Sequence, residues 1–330
     1  MKVYTKCSNY ASDTCPCELA EEGKCIVCSL NRGESVCDCS DTVSYCIEQE
    51  LINNGRKAKA QQTDMVGEIT YVRDFKDGIR FIRFNVPDMS PFRNRDVGTY
   101  VFLRVNSSTF YDVPVSIIYD DLDIDSLAVL IKIVGVKTSK FKSLQVGDSI
   151  IVRGPYYNGV MGRKEIAGLH NSKAYVFCKG IGFMPSIHVI EDLRANNNEV
   201  NVYLDKGDFD KSIIDSFSLL YDMDINEMKM CNEAGDLTEE FGRIIDEASR
   251  GGCKLIHLGL SDYLISKSLK EIEIRKYNSH ITYINNAKLC CGEGVCGACT
   301  KDIGANHTVH LCKEQLGIGE MKELVKAKSL

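Results

Sequence analysis

Cys291, Cys296 and Cys299 lie in the run CCGEGVCGACT with four and then two residues between them, and Cys312 follows after twelve more. This C-x4-C-x2-C spacing with a distal fourth cysteine is the plant-type arrangement for a 2Fe–2S cluster. Three thiolates from one loop must converge on one cluster. Gly292, Gly294 and Gly297 let the backbone curl around the sulfides. Inward N–H groups can then donate to sulfur and shift the potential. Four thiolates also suit zinc, but usually as two separated pairs. Cys290 is the spare thiol, although spacing alone does not separate it from Cys291.

Eight more cysteines crowd the other end: Cys7, Cys15, Cys17, Cys25, Cys28, Cys37, Cys39 and Cys46. Their spacing fits no standard ferredoxin run. They could hold two four-cysteine clusters, one cluster plus a zinc, or one cluster with unligated thiols. A structural zinc module is the plainer alternative; an electron-carrying body favours iron–sulfur. Residues 1–50 have few long apolar side chains, so metal ligation could supply folding free energy that burial does not.

Cys178, Cys231 and Cys253 end or flank apolar strands and are expected in the core. Cys178 stands where a ligand crevice would open. His307 and His310 fall between Cys299 and Cys312, but the complete cysteine set argues against a Rieske-type exchange.

These sites need a body to hold them. NNGRKAKAQQ, residues 53–62, reads as a linker. EITYVRDF, IRFIRFNV, GTYVFLRV, YDVPVSIIY, LAVLIKIVG and DSIIVRG are strand-like runs between turns, which predicts an antiparallel barrel. From Ala174 strands alternate with helices. AYVFC, NVYLD, DINEMKMC and KLIHLG are strands, and helices are expected at Ile187–Arg194, LTEEFGRIIDEASR and DYLISKSLKEI. Thr238 and Glu240 give the second helix a capping-type start. This rhythm predicts a doubly wound parallel sheet. The terminal EMKELVKAKSL reads as a solvated helix.

A barrel, a nucleotide-type α/β unit and a C-terminal plant-type cysteine loop, in that order, resemble the dihydroorotate dehydrogenase electron-transfer subunit of the ferredoxin–NADP reductase superfamily. The resemblance spans about residues 66–312. VPVSI resembles the flavin segment Arg-Pro-x-Ser-x, with Pro114, Val115 and Ser116 in place and Val113 where the arginine stands. IVGVKTSKF offers Gly135 and Thr138 near the flavin phosphates. VGDSIIVRGPYYNGV retains Gly154, Pro155, Asn158 and Gly159. CKGIGFMPSI resembles the nicotinamide turn, with Gly180, Gly182 and Pro185 matching, but Cys178 and Lys179 replace glycines. CNEAGD and LGLSD depart from the segments that hold NAD(P)H in that family. Tyr156 and Tyr157 could stack on a flavin or fill the domain interface.

A multi-domain α+β chain is expected: a Cys-rich metal module with linker (1–62), which that subunit lacks, and then, as the resemblance implies, a flavin-type FAD barrel (63–165), a doubly wound α/β NAD(P)-type domain (166–286), and a 2Fe–2S module with tail (287–330). The resemblance implies an iron–sulfur flavoprotein oxidoreductase that moves electrons between NAD(P)H, FAD and clusters to a redox partner protein or catalytic subunit. The cofactors would carry the chemistry, and no acid, base or nucleophile constellation is expected. The alternative is a non-enzymatic electron-transfer or scaffold subunit in which Val113 and Lys179 mark lost nucleotide binding.

Composition agrees with a globular carrier. The net charge is −6, so no basic excess points to nucleic acid. No apolar run is long enough to span a bilayer. The start MKVYTKCSNY lacks a signal-type apolar region, so a cytoplasmic location is expected.

Overall fold

Alternating β-branched and aromatic residues drive the chain from Asp64 into strands whose inward faces meet. In β2 (Ile79–Asn85), Ile82 and Phe84 are fully buried. They pack with Ile69 of β1 (Asp64–Phe75), Val101 and Leu103 of β3 (Tyr100–Arg104), and Ile117 of β4 (Val113–Tyr119). Val129 of β5 (Ser126–Lys132) and Ile150 and Val152 of β6 (Ser149–Tyr156) complete that core. The strands close in the order β1-β2-β5-β4-β3-β6, each pair antiparallel. The computed structural model describes residues 4–39, 45–106, 108–119, 125–207, 209–277, 279–304 and 308–327.

The second unit has a sheet ordered β10-β9-β8-β11-β12-β7. Its parallel strands are β8 (Lys173–Lys179), β9 (Glu199–Asp205), β10 (Ile225–Glu227), β11 (Leu255–Gly259) and β12 (His280–Ile284). Short β7 (Val160–Met161) joins the edge antiparallel to β12. All five residues of β11 are buried, as a strand covered on both faces requires. Helix Glu239–Arg250 begins as expected, with Thr238 Oγ1 accepting from the Phe241 amide at 3.2 Å.

The structure changes several sequence expectations. Helix Phe183–Ala195 starts four residues earlier than predicted, with Pro185 in its first turn, where a missing N–H costs no intrahelical bond. DINEMKMC forms only three residues of strand. Helix Lys211–Leu220, capped by Asp210, was not expected. Helix Ile318–Ala327 is not a solvated tail, because Met321 and Leu324 are buried in the second unit's core.

Two contacts fix the units against each other. His188 Nε2 lies 2.9 Å from the Ile117 carbonyl, and Tyr221 donates to the Tyr119 carbonyl at 2.7 Å. Among the described residues, no helix is long and apolar enough to cross a membrane.

Candidate functional site

The C-terminal ends of the parallel strands face the barrel across a cleft of about 500 Å³, within the usual range for cofactor pockets. Val113, Pro114, Val115 and Ser116 of β4 form one wall with Leu130–Lys132 of β5. The turn after β8 and the ends of β11 and β12 form the other. The cleft therefore opens where strand order reverses, between β8 and β11, the usual ligand position in such sheets.

Close backbone approach builds the far wall. A Cβ on Gly182 would lie 2.2 Å from the Gly259 carbonyl oxygen. One on Gly259 would lie 2.4 Å from Ser186 Oγ and 2.7 Å from Cys178 Sγ. Beneath them Ser186 Oγ is 3.0 Å from His257 Nε2, and His257 Nδ1 is 2.9 Å from Thr282 Oγ1. Burial pushes the imidazole down to about 3, so it is neutral. Sequence reasoning missed Gly259 and this network; only the glycine in LGLSD hinted at it.

Of the residues singled out, Pro114, Val115, Ser116, Thr138, Gly159, Gly182 and Pro185 line the cleft. Gly135 sits beside it, its amide donating to Thr138 Oγ1 at 3.2 Å. Gly180 is in the same turn, with φ +51. Gly154 lies within β6, packed against Val101. Asn158 is fully buried and serves elsewhere. Its Nδ2 donates to the carbonyls of Leu311 (2.8 Å) and Glu314 (2.9 Å), while its Oδ1 accepts from Gln315 Nε2 at 2.7 Å. It anchors the cysteine segment.

Lys179 borders the cleft with its ammonium 2.5 Å from Asp205 Oδ2. Asp205 also accepts from the Met230 and Gly207 amides. The cation is thus fixed at the margin and does not block the turn. Tyr100 was not foreseen. Its ring lines the cleft, it is 2% exposed, and its buried hydroxyl has no hydrogen-bond partner among the described residues. Nothing in GTYVFLRV separates it from an ordinary strand tyrosine.

Tyr156 lies behind Tyr100, with ring centroids 5.5 Å apart. It fills the barrel end and does not border the cleft. A Cβ on Gly292 would sit 2.4 Å from its ring. Arg153 Nη1 donates to both Tyr156 Oη and the Cys291 carbonyl at 3.2 Å.

The loop itself turns at Gly292, Gly294 and Gly297, with φ of 78°, 78° and 75°. The Cys312 thiol meets those of Cys291 and Cys299, and Cys291 meets Cys296. Hydrogen bonds from the Cys312 thiol push the Cys291 and Cys299 thiols down, and the same contacts push Cys312 up. The Glu293 amide donates to Cys291 Sγ at 3.3 Å, and the Cys312 amide to Cys299 Sγ at 3.4 Å. Exposed Cys290 is outside this group, so geometry separates the two neighbours that spacing left equivalent. His310 pairs with Thr300 Oγ1 at 3.1 Å; His307 lies outside the described residues.

The N-terminal module packs directly on this segment. Cys7 and Glu314 form an antiparallel bridge, flanked by Ser8 N to Lys313 O (2.8 Å) and Gln315 N to Lys6 O (2.7 Å). Cys7, Cys15, Cys17 and Cys25 line one small cavity. The thiols of Cys37 and Cys39 meet on the outside with Cys28 close by, and Cys46 is exposed. The linker folds back, the Lys59 amide donating to the Pro16 carbonyl at 2.9 Å. Among the described residues, no three His, Cys, Asp or Glu side chains are drawn together tightly enough for a single metal ion, whose ligands stand closer than the thiolates around a cluster.

No protein-family model and no curated protein matches the chain. Solved structures match by shape. An NADH-dependent reduced ferredoxin–NADP oxidoreductase, described for flavin-based electron bifurcation, superposes with TM-score 0.61 at 16% identity, over 79% of this chain and 91% of its own. A ferredoxin–NADP+ reductase from Neisseria gonorrhoeae, with FAD and NADP bound, gives 0.51 at 15% identity, over 69% and 99%. An intact type IV self-sufficient cytochrome P450 monooxygenase gives 0.52 at 14%, over 77% of this chain and 40% of that one. The chain therefore has the ferredoxin–NADP reductase type of fold.

Proposed function

We propose that this chain is an electron-transfer flavoprotein component with iron–sulfur centres, allied to the dihydroorotate dehydrogenase electron-transfer subunit. The observation that carries this reading is the juxtaposition of the cleft with the cysteine loop across Tyr100 and Tyr156. Domain order supports it: a barrel unit (63–165), a nucleotide-type unit (166–286), and cysteine modules before and after them.

The residues present fit FAD in the cleft. Its volume is adequate, Pro114–Ser116 and Thr138 form one wall, and the Tyr100 ring lines it as well. Lys132 of the neighbouring strand stands on the wall where Val113 withholds the family arginine. The turn Gly180–Gly182 opens onto helix Phe183–Ala195, whose first amides suit a nucleotide phosphate. The loop fits a 2Fe–2S cluster through Cys291, Cys296, Cys299 and Cys312, with amides already aimed at two of the sulfurs. The eight N-terminal cysteines fit further iron–sulfur chemistry or zinc.

Bound FAD would take a hydride from NAD(P)H and pass its electrons singly to the cluster, and from there to a partner protein. The chain's part is to hold the two sites on one rigid wall and to exclude water from it.

Anaerobic purification followed by flavin release and iron and sulfide counting tests this. One FAD per chain with acid-labile sulfide is expected. A brown protein without flavin, which does not take up added FAD, would instead favour a carrier or scaffold on a reductase fold.

A further inference from the structure

Eight N-terminal cysteines are more than one four-thiolate centre uses, and the fold sorts them. Cys7, Cys15, Cys17 and Cys25 border a single small cavity together with Leu19 and Ala20. Cys7, Cys15 and Cys25 each lie close to Cys17. Cys37 and Cys39 face outward, away from that cavity, and Cys46 is also exposed. Cys28 lies between the groups, its amide donating to Cys25 Sγ at 3.4 Å, but it does not border the cavity.

The inner group also abuts the C-terminal loop. Cys7 is paired with Glu314, two residues beyond Cys312. Leu19 packs so tightly on Gly294 that a Cβ there would approach its Cδ1 to 2.9 Å. Between the two thiol groups lies Lys313, with no exposed side chain, its Nζ 3.0 Å from Glu293 Oε2. A buried cation with one carboxylate partner is costly unless neighbouring negative charge compensates it. Cys7 and Cys17 lie on one side of it and Glu293 on the other.

We propose that Cys7, Cys15, Cys17 and Cys25 ligate one iron–sulfur centre, distinct from the outer cysteines and set against the C-terminal centre with Lys313 between them. One electron leaving the C-terminal centre would reduce the inner centre by one, with no bond made or broken. The proposal deepens the function proposed above and rests on its metal-bearing reading of the cysteine modules.

The test uses the full chain, purified without oxygen, and its Cys17→Ser, Cys37→Ser and Cys296→Ser variants. Iron, sulfide and zinc are counted, and electron paramagnetic resonance is recorded after dithionite reduction. Cys17→Ser should lose one centre's iron, its sulfide and one signal. Cys37→Ser should keep that signal. Cys296→Ser should remove the C-terminal signal and sharpen the inner one, since two neighbouring spins broaden each other; this arm decides the matter if Cys17→Ser does not fold. The proposal falls if Cys17→Ser and Cys37→Ser lose the same signal, if zinc replaces iron at the inner site, or if Cys296→Ser leaves the inner signal's width unchanged. Intact inner iron in a chain without flavin would sink the proposed function alone; flavin without inner iron would sink this proposal alone.

Discussion

Tyr156 stacks on Tyr100 with an interplanar angle of 25°, and the pair joins the interdomain cleft to the cysteine loop. Tyr100 borders the cleft, while Tyr156 occupies the space that any side chain at Gly292 would need. Two sites far apart in sequence thus share a wall one aromatic pair thick. Phe102, 5.1 Å from Tyr156 between centroids, closes the cluster edge-on.

The Tyr100 ring borders the cleft, while its hydroxyl is buried on the side of Tyr156, Glu293, Cys299 and Cys312. Tyr100→Ala should weaken FAD binding about ten-fold, through the lost ring contact of about 1.5 kcal/mol. Isothermal titration of apoprotein with FAD measures this. An unchanged Kd would remove Tyr100 from the site.

Gly292→Ala would force a methyl group to 2.4 Å from the Tyr156 ring at a left-handed φ of 78°. The backbone cost alone is about 1–2 kcal/mol, and the loop must shift to clear the ring. Iron per chain should fall and the thermal midpoint should drop. Full iron retention would show that the loop needs neither the turn nor the contact.

Asn158→Ala removes two hydrogen bonds to the carbonyls beside Cys312 and the acceptor for Gln315. The Leu311 carbonyl keeps Asn285 Nδ2 and Gln315 Nε2 keeps the Val160 carbonyl, so the cost should be about 1–3 kcal/mol, read by urea denaturation. A loss below about 1 kcal/mol would mean that water replaces the amide.

His257 is held neutral by burial, its imidazole down at about 3 against an ordinary value near 6.5. Above pH 6.5 both states are neutral there and nothing is lost. Below it the unfolded chain binds a proton that the folded chain refuses. Stability should therefore fall by about 1.4 kcal/mol per pH unit from 6.5 down towards 3. His257→Gln should flatten that part of the slope in urea titrations at pH 7 and pH 5. Equal slopes in both proteins would contradict the assignment.

The barrel and parallel sheet were legible because their runs obey simple periodicities, as IRFIRFNV and KLIHLG do. The grouping of Cys291, Cys296, Cys299 and Cys312 was legible because a short glycine-rich loop with that spacing leaves its thiols little room to diverge. Tyr100 was not legible, because orphaning a hydroxyl is a property of packing and not of sequence. Asn158 misled for a related reason. It sits in a stretch that resembles a flavin segment, but the C-terminal tail, distant in sequence, claims its side chain. The tail was misread because Met321 and Leu324 find their partners only once the sheet has formed. The pairing of Cys7 with Glu314 joins chain ends that no local pattern connects.

Stepwise anaerobic titration of the flavin-loaded chain with NADH or NADPH tests the central claim most directly, with visible absorbance and paramagnetic resonance followed together. Bleaching of the flavin by one of the nucleotides, with a reduced 2Fe–2S signal appearing in step, is the predicted result. A flavin that stays oxidised under both nucleotides, in a chain whose clusters dithionite still reduces, would contradict it.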